Sequence, residues 1–482
     1  MKSCIPAPKS CHLVTGGMEL TPSSRIVARQ KSLLPLGRVL APEVEVLTAL
    51  QLRVIQGQPQ AGDICLAVRR ESPRDSYELR VDDAIRIEGE NCDAVATGSV
   101  TMLQTLGMGT RPAGIRRQVV RDEPGFAYRG LMVDLARNWH PFESLKQLVV
   151  LCRWYKINCL HLHLTDNESF TFPSASQPSL PTPGRHYSLD QLRELETFAA
   201  DRGVTLVPEL DVPGHARSLL QALPRFVGCA PLGTRDLCPG RESTYRVLDE
   251  LIGEMCAVFR RSPWFHLGAD ESERTSWPGC RHCRAAKAQH GLADDEELYR
   301  HFLLRMHRIV RAHGKKTMVW EGFGPGGRLR LPRDITVMVF ESDYHTAPAL
   351  LADGYTVINT SWRPLYVCER RWPTQTICRW TPYRWESPWR RSKAYGRGID
   401  ITPSPRLAGA QMCSWGLPEA AELPSLRERL AAMSEKVWNP AADVALGEFF
   451  KRLEQTDQRL DKMLFTARPR AAWPFFALEP DS

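Results

Sequence analysis

The sequence predicts an α/β protein: a (β/α)8 TIM barrel preceded by a small α+β domain and followed by a C-terminal helix. From Tyr128 onward, short apolar runs alternate with longer amphipathic segments, the pattern of repeated βα units on a parallel sheet. Eight such runs occur, enough to close a barrel. The 482 residues exceed what a single core supports, which leaves room for a further domain.

Residues 1–24 carry no clear pattern and read as a loose N-terminal segment. Residues 25–122 read as the small α+β domain. There Tyr77, Leu79 and Val81 alternate with Glu78 and Arg80, and Ile85 and Ile87 with Arg86 and Glu88, a half-buried strand pair turned at Asp82-Asp83. From Asp93 to Leu106 the spacing becomes helical, with Gly107 as the stop. The barrel takes residues 123–440. Its strands fall near Gly130 to Asp134, Cys159 to Leu164, Thr205 to Pro208, Phe265 to Leu267, Thr317 to Trp320, Thr336 to Phe340, Thr356 to Asn359 and Gln411 to Ser414. Helices fit between them: Phe142 to Tyr155 behind Pro141, Leu189 to Asp201 behind the capping pair Ser188 and Gln191, Asp294 to His313, and Pro424 to Val437. Residues 441–482 supply a last amphipathic helix, Ala442 to Leu464, and a tail expected to be loosely held from Thr466.

Composition narrows the function classes. At 43% hydrophobic and 24% charged, the chain is globular rather than fibrous or disordered. Its +8 charge comes from 51 Arg and 12 Lys set against 55 acids, without a run of five like charges, so nucleic acid is not an expected partner. Apolar runs stay far short of the roughly 20 residues that span a bilayer, so no membrane association is expected. Pro6, Pro8, Ser10 and Cys11 interrupt the place where an export signal needs an apolar stretch, which makes a cytoplasmic location the expectation. In that setting the 14 cysteines should be mostly reduced thiols.

In a parallel barrel the chemistry sits at the carboxyl ends of the strands. Arg137 follows the first strand, Asp166 the second, Glu209, Asp211 and His215 the third, and Asp270-Glu271 the fourth; Trp320-Glu321, Tyr366 and Trp415 follow later ones. In the run from Phe265 to Ser272, Gly268 and Ala269 leave room for a ligand beside two adjacent carboxylates. Adjacent carboxyls resist simultaneous ionisation, which raises one pKa and prepares an acid beside a fixed anion, as glycoside cleavage requires. An isolated Asp-Glu pair is more often just a solvated helix start.

Three other features have competing meanings. His161-Leu162-His163, with His215, His266 and Asp270, offers the metal set of an amidohydrolase-type barrel, although satisfied core histidines explain them more simply. Cys280 and Cys283 form a lone Cys-x-x-Cys with no second pair following, and read as a structural loop. The Arg and Trp cluster from Glu369 to Arg397, with Trp372, Trp380, Trp385 and Trp389, fits a wall of the pocket or a subunit contact better than a single-strand nucleic-acid platform.

Several spaced words, in order, resemble glycoside hydrolase family 20, the β-N-acetylhexosaminidases. They are Arg129 to Asp134 with Arg137, Tyr155 to Asn158 leading to His161 through Asp166, Pro208 to Asp211 with Pro213-Gly214-His215, and His266 to Glu271. Tyr77 through Leu106 resembles that family's small domain, and Gly409 through Trp438 extends the match toward the C terminus. The resemblance implies substrate-assisted retaining hydrolysis, in which the sugar's own 2-acetamido oxygen attacks the anomeric carbon. It implies that Glu271 is the general acid and base, that Asp270 holds the acetamido N–H, and that Tyr366 aligns the acetamido carbonyl. Arg137 would bind the 3- and 4-hydroxyls, Asp166 and His215 would support the acid and pocket, and Trp320 and Trp415 would line it. The implied partner is an oligosaccharide ending in a β-linked N-acetylhexosamine, GlcNAc or GalNAc, with neither metal nor organic cofactor; a homodimer is left open. Cys368 stands where many members carry an Asp, Phe340 where a pocket Trp is expected, and Leu417 where Trp-x-Glu would place its Glu, with Glu419 as a substitute. A binding protein that keeps the pocket without catalysis is the alternative from another class.

Overall fold

The computed structural model describes residues 4–107, 113–229, 236–369 and 371–464. The N-terminal unit is a seven-stranded mixed sheet: β1 Ser10–Leu20, β2 Arg25–Ala28, β3 Arg53–Gln56, β4 Ile64–Val68, β5 Tyr77–Val81, β6 Ile85–Gly89 and β7 Ala113–Asp122, in the order β1-β7-β5-β6-β4-β2-β3. Helices α1 Leu34–Thr48 and α2 Cys92–Thr105 pack on it. The β5–β6 pair is antiparallel, with Val81 opposite Ile85, as the alternation predicted. Asn91 caps α2 by accepting from the Ala94 N–H. The expectation of a loose residue 1–24 segment needs correction. β1 pairs antiparallel with β7 along its length, and because only Met18 and Leu20 are buried, backbone pairing defines this strand without an apolar alternation to announce it.

The barrel strands are β8 Tyr128–Asp134, β9 Cys159–His163, β10 Thr205–Glu209, β11 Trp264–His266, β12 Lys316–Trp320, β13 Thr336–Val339, β14 Thr356–Asn359 and, after three two-residue strands (β15 Tyr366–Val367, β16 Arg384–Trp385, β17 Ile399–Asp400), β18 Leu407–Ser414. They are parallel, and the β14–β18 pairing closes the ring. Around them lie α3 Phe142–Trp154, α4 Leu189–Ala200, α5 Arg217–Ala222, α6 Pro224–Val227, α7 Glu242–Val258, α8 Arg281–His290, α9 Asp295–Ala312, α10 Ala347–Ala352, the single turn α11 Trp362–Leu365, α12 Thr374–Arg379 and α13 Glu419–Trp438. The helix α14 Leu446–Met463 packs against α1 and α3. Ser188 and Gln191 make the predicted capping box of α4. α13 starts at Glu419, not Pro424; the proline sits inside it, at the expense of one backbone bond to the preceding turn. The tail from Thr466 lies outside the described residues. No described helix is long and apolar enough to cross a membrane.

Polar contacts lock the two units together. The Lys156 ammonium, fully buried, donates to Tyr77 Oη at 2.9 Å and lies 3.3 Å from Asp122 Oδ2, while Trp438 Nε1 donates to Asp122 Oδ1 at 2.9 Å. Met132, Val207, Met318, Met338 and Ile358 fill the barrel interior, so its floor is packed and only the carboxyl end of the strands is free to form a site.

Candidate active site

The loops after the strands converge on one polar mouth. Beyond β8, Asp134 Oδ1 accepts the N–H groups of Ala136 (3.1 Å) and Arg137 (2.9 Å), a local turn that carries Arg137 inward. Its guanidinium reaches Asp134 Oδ2 at 3.0 Å and Asp166 Oδ2 at 2.6 Å and lies 4.9 Å from the Trp415 ring. Burial opposes its charge, but Asp134 and Asp166 outweigh that and hold its pKa above the ordinary arginine range. Asp166, beyond β9, is buried between His163 Nε2 (3.0 Å) and His215 Nδ1 (3.2 Å). Burial alone would raise its pKa; the two histidines and Arg137 instead pull it well below the carboxylate range.

Beneath the mouth, Glu209 at the end of β10 gathers the strand residues. Its Oε2 lies 2.5 Å from His163 Nδ1 and 3.1 Å from His161 Nε2; its Oε1 accepts from Trp320 Nε1 at 2.7 Å and lies 2.9 Å from His266 Nδ1. Despite burial, these rings keep Glu209 well below the usual carboxylate range, and Glu209 and Asp166 hold His163 well above the histidine range against its burial. In this structure His161 and His163 are both tied to the Glu209 carboxylate, which accounts for the His-x-His motif as part of a buried hydrogen-bonded hub.

Gly268, at φ +66°, is needed for a reason other than ligand space. A Cβ there would fall 1.7 Å from Asp211 Oδ1, so the glycine makes room for a protein carboxylate, which accepts the Ala269 N–H at 3.2 Å. Gly214 likewise lets the His215 turn approach the Asp270 carbonyl, where a Cβ would come within 2.9 Å. Ala269, Glu271 and His215 all carry positive φ (73°, 44° and 49°), three strained non-glycine residues within one site.

His215 Nε2 faces both adjacent acids, 3.8 Å from Asp270 Oδ2 and 3.5 Å from Glu271 Oε2. Burial opposes a charge on its ring, but Asp211, Asp166, Glu271 and Asp270 together raise its pKa. Asp270 is buried, its Oδ1 without a hydrogen-bond partner, and burial pushes its pKa up to about 6. Asp211 is raised too, by burial first and by Asp270 second. Glu271 opens to solvent, and its hydrogen bond with His215 lowers its pKa. The pair is therefore split, as adjacency predicted, but the raised member is Asp270 and burial is the first cause.

An aromatic wall completes the mouth. Tyr366 packs 6.3 Å from Phe340, 6.0 Å from Trp415 and 5.1 Å from Trp362, and Trp415 lies 5.9 Å from Trp320. Burial raises the Tyr366 phenol well above its usual range, and the charges of Asp270 and Glu271 contribute. Arg137, Asp166, His215, Asp270, Glu271, Trp320, Phe340, Tyr366 and Trp415 thus come together. Glu419 turns elsewhere, accepting from Ser144 Oγ at 2.7 Å at the start of α3. Of the Glu369 to Arg397 tryptophans, Trp389 reaches the wall through Trp362 at 5.4 Å, while Trp385 is fully buried and donates to the Val339 carbonyl. Trp362 and Asp134 were missed. Asp134 could have been found from its offset of three residues to Arg137, whereas Trp362 had no signal apart from its nearness to Tyr366. The Cys280 and Cys283 pair is not lone, since the buried Cys229 and Cys238 lie against it.

A closed parallel barrel with a split carboxylate pair, a clamped arginine and an aromatic wall at its mouth is a glycosidase type of site. Family models agree: one described as glycosyl hydrolase family 20, catalytic domain, matches residues 126–441, and one described as domain 2 of that family matches residues 2–123. The chain belongs to glycosyl hydrolase family 20. It is 26% identical to a beta-hexosaminidase of Porphyromonas gingivalis over 95% of this chain and 63% of that one, and 30% identical to a beta-hexosaminidase of Vibrio furnissii over 66% of this chain and 57% of that one. It therefore spans about three fifths of the length of these two relatives. The exo beta-N-acetylglucosaminidase of Vibrio harveyi, solved with N-acetylglucosamine, shares the fold with a TM-score of 0.83 at 23% identity, over 95% of this chain and 77% of that one.

Proposed function

We propose that this protein is an exo-acting retaining β-N-acetylhexosaminidase that releases terminal GlcNAc or GalNAc by substrate-assisted hydrolysis. The observation that carries this reading is Asp270: a buried carboxylate with an unpartnered oxygen, close enough to Tyr366 for its charge to raise that phenol's pKa, and adjacent in sequence to a solvent-facing Glu271. An acetamido group placed there donates its N–H to Asp270 and accepts from Tyr366, which points its carbonyl oxygen at the anomeric carbon. Glu271 protonates the departing oxygen and then takes a proton from the incoming water.

In the free protein the two acids are poised the opposite way, with Asp270 raised and Glu271 lowered. A bound sugar reverses this. The acetamido N–H stabilises the Asp270 anion, and the ring shields Glu271 from water and raises its pKa. His215, 3.5 Å away, stabilises the Glu271 anion in the free protein, so the proton that Glu271 delivers is taken up from solvent as the sugar enters. Arg137 holds the ring hydroxyls, with the buried Asp166 fixing its guanidinium and His215 from below, while Cys368, Phe340 and Leu417 tune which epimer fits.

The test compares aryl β-N-acetylglucosaminide, aryl β-N-acetylgalactosaminide and aryl β-glucoside, with the first-formed anomer read by NMR. Fast release of β-anomer from an acetamido sugar and negligible release from the glucoside are expected. Equal rates on the glucoside, or inversion, would overturn the mechanism; inactivity on all three with retained sugar binding would favour the binding protein.

A further inference from the structure

Away from the mouth, four cysteines distant in sequence meet in a buried cluster: Cys229, Cys238, Cys280 and Cys283. The sulfurs stand 3.8 Å apart between Cys229 and Cys283, 3.6 Å between Cys238 and Cys280, and 3.5 Å between Cys238 and Cys283, and all four lie within 4.8 Å of one another. Thiolates about 2.3 Å from one tetrahedral ion stand about 3.7–3.8 Å apart, whereas a disulfide brings a pair to about 2.05 Å. The spacing matches four ligands of a single ion.

The backbone around them is built for close approach. A Cβ on Gly240 would fall 2.3 Å from the His282 carbonyl, so the Cys238-Pro239-Gly240 turn stacks directly on the Cys280-to-Cys283 turn. Cys280 is the N-cap of α8 and Cys283 lies in its first turn, where the helix dipole favours thiolates.

We propose that Cys229, Cys238, Cys280 and Cys283 bind one structural zinc ion. Four soft thiolates in a tetrahedral arrangement select zinc and leave no open position for a catalytic water, and each thiol releases its proton to solvent on binding. Cys229 and Cys238 lie on the excursion after β10 that begins with His215. Cys280 and Cys283 close the excursion after β11 that begins with Asp270 and Glu271. The ion therefore fastens together the two loops that carry the central histidine and both acids, and acts on the site by position alone.

The full chain, expressed in zinc-replete medium and purified without chelator, is expected to contain one zinc per chain by elemental mass spectrometry. X-ray absorption should show four sulfur neighbours at about 2.3 Å. An organomercurial titration of the unaltered protein should release that zinc as four thiols react, a readout that needs no variant to fold. The pair Cys280→Ser and Cys283→Ser should abolish zinc binding and lower Tm. Zinc at trace level, iron in its place, or two disulfides among these cysteines by non-reducing peptide mapping would overturn the proposal. Metal content is read without substrate, so this result and the hydrolase result fail independently.

Discussion

Asp270→Asn separates what this carboxylate does for turnover from what its burial does to the fold. Its pKa rises from 3.8 to about 6 on folding, with burial the largest cause; Glu271 and Glu209 add to the rise, and His215 opposes it. Between those values the native chain holds a proton that the unfolded chain has released. Stability from this group is therefore greatest below about pH 4 and falls as pH rises through 6. A shift of roughly two units corresponds to about 3 kcal/mol of destabilisation at pH 7. Asparagine does not titrate, so the variant lacks this slope. Urea unfolding followed by tryptophan fluorescence, at steps from pH 4 to pH 7, should show the variant gaining roughly 2.4 kcal/mol on the parent across the series, whatever the constant offset. Meanwhile turnover of an aryl N-acetylglucosaminide should fall about 10²–10³-fold, the scale of losing one aimed electrostatic contact. Parallel stability curves would refute the burial argument, and near-parental turnover would refute the orienting role.

Gly268→Ala places a Cβ 1.7 Å from Asp211 Oδ1 at a backbone φ of +66°. Strain and overpacking should lower stability by about 2–5 kcal/mol, seen as a drop in Tm together with lost activity; an unchanged Tm would contradict the close approach. Lys156→Met leaves Asp122 buried without its cation between the two domains. Chemical denaturation should show a loss of about 3–5 kcal/mol, whereas a neutral result would mean that Tyr77 and Trp438 satisfy Asp122 by themselves.

The eight barrel strands were legible because each is a short apolar run followed by polar residues, and a strand buried on both faces must be written that way. β13 and β14, of four residues each, were found the same way, as short apolar runs within the βα alternation. β1 was not legible, since nine of its eleven residues escape full burial and its Gly16-Gly17 irregularity breaks the alternation. α13 was misplaced at its start because a proline usually marks the first turn, and here packing against α12 and the barrel extends the helix past it.

Which residue types stand at the strand ends could be read from the chain, but not which atoms meet, and the atoms decide protonation. Asp166, Asp211 and Asp270 are three aspartates in one mouth, yet Asp166 is held low while the other two are raised. Asp166 receives His163, His215 and Arg137 within 3.2 Å, whereas His215 stands 3.8 Å from Asp270 and the other Asp270 oxygen is unpartnered. Adjacency of Asp270 and Glu271 in sequence could not supply this, because burial and His215 set both pKa values more strongly than either acid sets the other's. The same holds for the cysteines. A Cys-x-x-Cys reads as half a ligand set, and its complement lies more than 40 residues earlier, across a barrel strand that only the closed fold brings alongside. A chemical site assembled from βα loops is recorded in the sequence as separate words, and the barrel's closure supplies the contacts that give those words a charge state.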